Sequence, residues 1–303
     1  MERYNYRIAG LRVSSALELA GAASANAGGS PDVTIRYGAV EASGLIQDGA
    51  RTGWRADPEE YVLAVQGVGG YRVTGGDSIE VDPVKGAQLS DLALFLLGSA
   101  FGALWQQRGM LALHASAVLT DAGAMAFAGP SQTGKSTLAA YLTRRGLPLV
   151  TDDVAVVTPI PAGGSAIWPG PGRIKLWRDG IERLGEDAGQ LAKAGGRRDK
   201  YHMPVGTADA QGAEAPVRLA RLYVVSNADE LSIERLVGLE AVEAVAAQTY
   251  REQFVVPMGL GAGHFRLCVE TARTLEVKKL ARPRGFEHMD EVLDALEADW
   301  SNG

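Results

Sequence analysis

The residues from Gly129 to Ser136 read Gly-Pro-Ser-Gln-Thr-Gly-Lys-Ser, a complete G-x-x-x-x-G-K-S pattern, and no other stretch of the chain restricts the fold as tightly. Its flanks agree with it. Ala124 to Ala128 is short and apolar, as a buried parallel strand should be. Thr137 to Arg145 carries apolar residues at helical spacing, ends on two arginines and stops at Gly146. A strand, a glycine-rich loop and a helix in this order make a phosphate cradle. The two glycines let successive amide N–H groups converge on one anion, and the helix start adds its positive dipole there. The candidate binding set is Gly129, Ser131, Gln132, Thr133, Gly134, Lys135, Ser136 and Thr137. Lys135 is expected to reach the terminal phosphates, and the Ser136 hydroxyl to sit on magnesium.

The next constraint is Leu149-Val150-Thr151-Asp152-Asp153, one helix and one turn downstream. A strand over Leu147–Val150 that runs parallel to the loop strand delivers both aspartates to the phosphates, because ligands gather at the carboxyl ends of parallel strands. Phosphoryl transfer needs a carboxylate for the metal and a base near the attacking hydroxyl, and two adjacent carboxylates in different environments can divide those jobs.

Bulk properties exclude other classes. The net charge of −6 and the absence of a basic stripe argue against a nucleic-acid partner. The single cysteine, Cys268, rules out an internal disulfide and a cysteine-based zinc site, and reads as a small buried thiol on an alternating strand. The amino terminus has no apolar signal core. The longest apolar run, Leu92 to Trp105, is shorter than the ~20 residues a membrane span needs, so a core helix and a cytoplasmic protein without a membrane partner are expected.

Along the chain, residues 1–86 alternate short strand-like pieces with glycine, proline and aspartate turns, which predicts a β-rich first domain. These pieces are Tyr6–Val13, Val33–Tyr37, Tyr61–Val65 and Tyr71–Val73. Gly67 to Gly70 reads as a hairpin turn. Residues 87–303 are mixed α/β, with a helix over Asp91–Gln107, strands at Leu111–Leu119, Val154–Thr158, Arg173–Trp177 and Leu219–Val225, and helices over Leu239–Tyr250 and Phe286–Trp300. Gly189 to Pro204 has no clear period and is expected to be a loop.

Gly129 to Thr137 followed closely by Asp152 and Asp153, with His114 just upstream in Leu113-His114-Ala115-Ser116, resembles the HPr kinase/phosphorylase family, whose core is related to phosphoenolpyruvate carboxykinase. The layout of the whole chain, including Trp168 to Trp177, is similar to the HPr-kinase-like proteins of lasso-peptide gene clusters. The resemblance implies an α/β P-loop kinase core behind the β-rich domain, ATP and Mg2+ as cofactors, and a serine of a precursor peptide or small protein as acceptor. It also implies a homo-oligomer, as HPr kinases form. By the same resemblance Asp152 is the candidate base and Asp153 the candidate metal ligand beside Ser136, with the order within the pair open. Lys135 and His114 complete the catalytic set. The glutamate-containing signature of HPr kinases after the aspartates is missing. Arg173 and Lys175 stand in that region and, with Arg197, Arg198 and Lys200, are the candidate phosphate or substrate contacts. A small-molecule kinase and a non-enzymatic nucleotide-gated regulator remain as alternatives.

Overall fold

A computed structural model describes residues 3–20, 22–26, 28–160, 163–194, 199–206 and 215–301. The fold is mixed α/β with several sheets, and the chain clusters into two compact units. The first takes Met1–Ala112 and Tyr250–Leu267; the second takes Leu113–Ala194, Arg198–Thr249 and Cys268–Gly303.

The first unit is built on an eight-stranded sheet of β1 (Tyr4–Ile8), β2 (Leu11–Ser15), β3 (Ala23–Ser24), β4 (Val33–Tyr37), β5 (Thr52–Ala56), β6 (Glu60–Val65), β7 (Gly69–Thr74) and β8 (Ser78–Pro83), in the order β3-β1-β2-β4-β8-β7-β6-β5. The expected single strand over Tyr6–Val13 is a hairpin: Ala9 and Gly10 both have positive φ, the signature of a two-residue turn that pairs Tyr6 with Val13. Alternation on either side of that turn runs on unbroken, which hides it from a reading of the period alone. The helix α1 (Leu89–Gln107) lies on β6 and β7, and the Tyr71 hydroxyl donates to the carbonyl of Leu92 at 3.0 Å. At 19 residues α1 is long and apolar enough to cross a membrane, and it is mostly buried inside this unit.

The second sheet contains β9 (Leu111–Leu113), β10 (Ala115–Thr120) and β11 (Gly123–Ala128). After α2 (Lys135–Arg144) come β12 (Leu149–Thr151), β13 (Ala155–Pro159), β14 (Ser165–Ile167), and the two-stranded ribbon of β15 (Arg173–Trp177) and β16 (Lys200–Pro204), with α3 (Arg178–Arg183) between them. The chain continues through β17 (Val217–Asn227), β18 (Ser232–Arg235), α4 (Leu239–Ala246), α5 (Gly261–Thr274), β19 (Glu276–Arg282) and α6 (Met289–Ser301). The sheet order is β12-β10-β11-β17-β14-β13-β9, with β19 on β17 and β18 on β19. Because β10 is antiparallel to both β11 and β12, β12 runs in the same direction as the loop strand, one strand away. On its other side β11 is parallel to β17, and β17 is parallel to β19. The carboxyl ends of β11, β12, β17 and β19 therefore share one edge of the sheet.

Three further expectations change. The strand over Leu111–Leu119 breaks at His114, whose N–H leaves the sheet to donate to the carbonyl of Gln248 at 2.8 Å. Cys268 is buried as expected but lies on α5, where the buried positions Cys268 and Thr271 stand three apart; the short alternation around it fits a helix as well as a strand. The expected loop from Gly189 to Pro204 contains β16, paired residue for residue with β15.

The core of the second unit joins α2 and α6 to the sheet through Phe127, Leu138, Leu142, Tyr223, Leu280, Val292 and Leu296. Phe127 and Tyr223 stack at 5.5 Å between centroids. A buried polar network fastens the end of α6: Asp299 accepts from Lys278 Nζ at 2.7 and 2.9 Å and from the Tyr223 hydroxyl at 2.6 Å. Arg221 donates to the Asp299 carbonyl at 2.7 Å and to Glu276 at 2.5 Å. Asp299→Ala strands Lys278 with a lone carboxylate and is expected to lower stability by about 3 kcal/mol in urea unfolding. A loss below about 1 kcal/mol would mean that the network is effectively solvated.

Candidate functional site

The loop between β11 and α2 is held open by its backbone. Gly129 has φ 143°, and a Cβ there would meet the Val225 carbonyl oxygen at 2.4 Å, so β17 packs too closely for any side chain. Gly134 caps α2 in the left-handed region with φ 88° and no side-chain cap, which leaves the first amides of α2 facing the loop. The Thr133 hydroxyl donates to the Pro130 carbonyl at 2.9 Å. Ser131 and Gln132 are exposed at the tip, with Gln132 at φ 71°, and Ser136 and Thr137 are half-buried in the first turn of α2. Lys135 is buried, and its ammonium donates to the carbonyls of Gly129 at 2.7 Å and Pro130 at 3.0 Å. Burial pushes its pKa down, while the charges of Asp152 and Asp153 oppose that shift.

Both aspartates face this loop from the end of β12. Asp152 Oδ1 accepts from the Ser116 hydroxyl at 2.7 Å, and Oδ2 accepts from the backbone N–H of Lys175 at 2.8 Å. The Ser136 hydroxyl lies near enough to favour its charged form. Burial and the neighbouring Asp153 nevertheless raise its pKa above the usual carboxylate value. Asp153 is twisted into the left-handed region at φ 74°, which turns its side chain to the other flank. There Oδ2 pairs with Lys175 Nζ at 2.7 Å. Burial alone would raise its pKa too, but the Lys175 ammonium overrides that and holds it low. Two adjacent carboxylates thus differ in proton affinity because burial prevails at Asp152, beside the Asp153 charge, whereas a cation overrides it at Asp153.

His114 sits on Asp153 rather than on Asp152. Its Nδ1 donates to the Asp153 carbonyl at 2.9 Å and lies 3.7 Å from that carboxylate. Burial, reinforced by the Lys135 charge, lowers its pKa, so the ring is neutral at pH 7 with its proton on Nδ1. The alternation of β15 puts Arg173 and Lys175 on one face, as expected. Lys175 enters the site, and the Arg173 charge acts on His202. Lys200 lies 5.0 Å over the Trp177 ring, near enough for its charge to act on Lys135 and Asp153. Arg197 and Arg198 lie outside the described residues.

Three participants went unread in the sequence. Ser116 is two residues past His114 on an apolar strand, and only the pairing of β10 with β12 brings it to Asp152. His202 faces Lys175 across the ribbon, with a buried Nδ1 that has no hydrogen-bond partner among the described residues. Arg282 closes β19 beside Gly134, its guanidinium 3.6–3.9 Å from where a Cβ of that residue would stand. Among the described residues, no group of three or more His, Cys, Asp or Glu could hold a metal ion. The hydroxyl of Ser136 and the carboxylates of Asp152 and Asp153 are the hard oxygen donors that a magnesium-type cation takes, with phosphate and water completing its shell.

No protein-family profile matches the chain, and no curated protein matches it. Among solved structures it is similar to one described as the Hpr(Ser) kinase/phosphatase from Coxiella burnetii, at 12% identity and a TM-score of 0.31, covering 63% of this chain and 97% of that one. The function of this chain has to follow from its own site and not from a likeness of that size.

The surroundings of His202 make stability depend on pH. Burial, with the charges of Arg173 and Lys175, pushes its pKa from the usual 6.5 down to about 4. The folded state therefore binds this proton less tightly than the unfolded chain. The stability contributed by neutral His202 is complete above pH 6.5 and is lost as pH falls toward 4. Urea midpoints followed between pH 7 and pH 4 should fall, and His202→Gln should flatten that fall; equal slopes for the two proteins would overturn the assignment.

Proposed function

We propose that the chain is an ATP- and magnesium-dependent kinase that transfers the γ-phosphoryl group to a serine hydroxyl of a peptide or small protein. The observation that carries this reading is the convergence of Asp152 and Asp153, in unlike protonation environments, on the glycine-rich loop that opens α2. A phosphate-binding loop alone needs no such pair; a phosphoryl transferase does. A lasso-peptide precursor as acceptor, and a P-loop core of the HPr kinase type, are proposals resting on the sequence resemblance.

In this reading the loop amides and the start of α2 hold the β- and γ-phosphates. Lys135 exchanges the carbonyls of Gly129 and Pro130 for phosphate oxygens, without moving away from the loop. The serine oxygen bonds to the γ-phosphorus, the bond from that phosphorus to the β–γ bridging oxygen breaks, and ADP leaves. Asp152, whose proton affinity is raised, takes the serine proton, and Ser116 keeps its carboxylate oriented. Asp153 stays ionised through Lys175 and would hold magnesium together with Ser136. Magnesium supplies neutralisation of charge on the phosphate oxygens. His114, neutral and tied to the Asp153 carbonyl, fixes the twisted backbone that separates the two carboxylates.

A second reading exchanges the aspartates, and one proximity favours it: the Ser136 hydroxyl lies near Asp152 and favours its charged form. Calorimetry separates the two. If Asp152 is the base, Asp152→Asn keeps the magnesium dependence of ADP binding while Asp153→Asn loses it; the reverse pattern exchanges the roles.

Lys135→Ala at saturating ATP is expected to slow single-turnover transfer by about a hundredfold or more, since stabilisation of developing charge dominates such sites. An unchanged rate would refute the role given to Lys135.

A further inference from the structure

We infer that Arg282 is a phosphate-gripping residue that holds a non-transferred phosphate of the nucleotide at the start of α2, on the flank opposite the aspartates. The inference rests on the nucleotide reading above and adds to it the residue that anchors the other end of the polyphosphate.

The sheet fixes the side. The strand β11 lies between β10 and β17; Asp152 and Asp153 follow β12 on the β10 side, and Arg282 ends β19 on the β17 side. Both positions belong to the carboxyl edge from which the loop springs. Arg282 is only 6% exposed, so most of its side chain is withheld from water. Its Nε is buried without a hydrogen-bond partner, and Nη1 reaches the Met289 sulfur, a weak acceptor, at 3.9 Å. Among the described residues no carboxylate comes within ion-pair distance of it.

The same sheet holds a control. Arg221, on β17, is also 6% exposed, and it is met by Glu276 at 2.5 Å and by the carboxylate of Asp299 at 3.4 Å. Among the described residues, carboxylates therefore meet one buried arginine and not the other. An arginine cannot shed its proton, and a buried unpaired charge is costly. The unpaired guanidinium stands against Gly134, the residue that opens α2, where unbonded amides and the helix dipole also favour an anion. Two independent cationic features meet at one point, and the planar fork of arginine suits phosphate oxygens.

Lys135 covers the opposite flank, where the aspartates lie. A polyphosphate laid across the start of α2 has its reacting end toward Lys135 and the carboxylates. Its inner phosphate, next to the nucleoside, falls to Arg282, on the flank away from Asp152 and Asp153.

The test compares ADP, inorganic pyrophosphate and adenosine by calorimetry on the full chain, as wild type, Arg282→Met and Arg282→Lys. Arg282→Met should weaken ADP and pyrophosphate about tenfold or more and leave adenosine unchanged, with Arg282→Lys between the two. Its unfolding midpoint without ligand should stay level or rise, since an unpaired buried charge is removed; a purely structural arginine would lower it. Equal pyrophosphate and ADP affinities in wild type and Arg282→Met overturn the inference, even if wild type transfers phosphoryl groups. Failure of wild type to bind either polyphosphate also overturns it. Arginine-dependent pyrophosphate binding in a protein that transfers nothing upholds it and removes the kinase reading instead. Should Arg282→Met not fold, wild-type crystals grown with tungstate decide: anion density at the guanidinium supports the assignment, and tungstate elsewhere or absent overturns it.

Discussion

The site depends on a constraint of charge: two carboxylates adjacent in sequence have to stand beside a buried lysine without both taking up protons or both being neutralised. The backbone solves this by turning Asp153 into the left-handed region, so that successive side chains leave β12 on different flanks. Asp152 then meets Ser116 and the amide of Lys175, while Asp153 meets the Lys175 ammonium. One residue, Lys175, serves both through different atoms. Because its backbone belongs to β15, the ribbon of β15 and β16 is coupled directly to the chemistry of the loop.

Around that arrangement the fold acts as a positioning device. The glycine-rich loop is pinned by the close approach of β17 at Gly129, and its helix is backed by α6, which the Asp299 network fastens to β17 and β19. Cations approach the start of α2 from two sides of the sheet: Lys135 with the aspartates, and Arg282 from β19. This is the layout a polyphosphate needs, with a neutralising group for each end and acidic groups at only one of them.

Much of this was legible in the amino-acid order. The loop, its strand and its helix follow from local chemistry, since glycine at 129 and 134 and helical spacing from Thr137 leave little alternative. The direction of β12 is that of the parallel strand expected after α2, and Lys175 lies on the strand expected over Arg173–Trp177. What was not legible depends on pairing between distant strands. Ser116 gains its partner only because β10 lies between β11 and β12. His114 was expected in the catalytic set, and the break between β9 and β10 turns its ring onto Asp153. Arg282, in an unremarkable Leu-Ala-Arg-Pro stretch, becomes a site residue only because β19 docks on β17. The Ala9-Gly10 turn and the helix around Cys268 were hidden for another reason: short alternating runs do not distinguish a hairpin, a strand and a helical segment.

The central claim is that the aspartates make this loop a transferase rather than a nucleotide holder. Its most direct test is to incubate the protein with γ-labelled ATP, magnesium and serine-terminated peptides, and to follow the label by mass spectrometry in wild type and Asp152→Asn. The account predicts phosphoserine with wild type, and its loss in Asp152→Asn while ATP still binds. ATP that binds both proteins with the label never reaching a hydroxyl would contradict it.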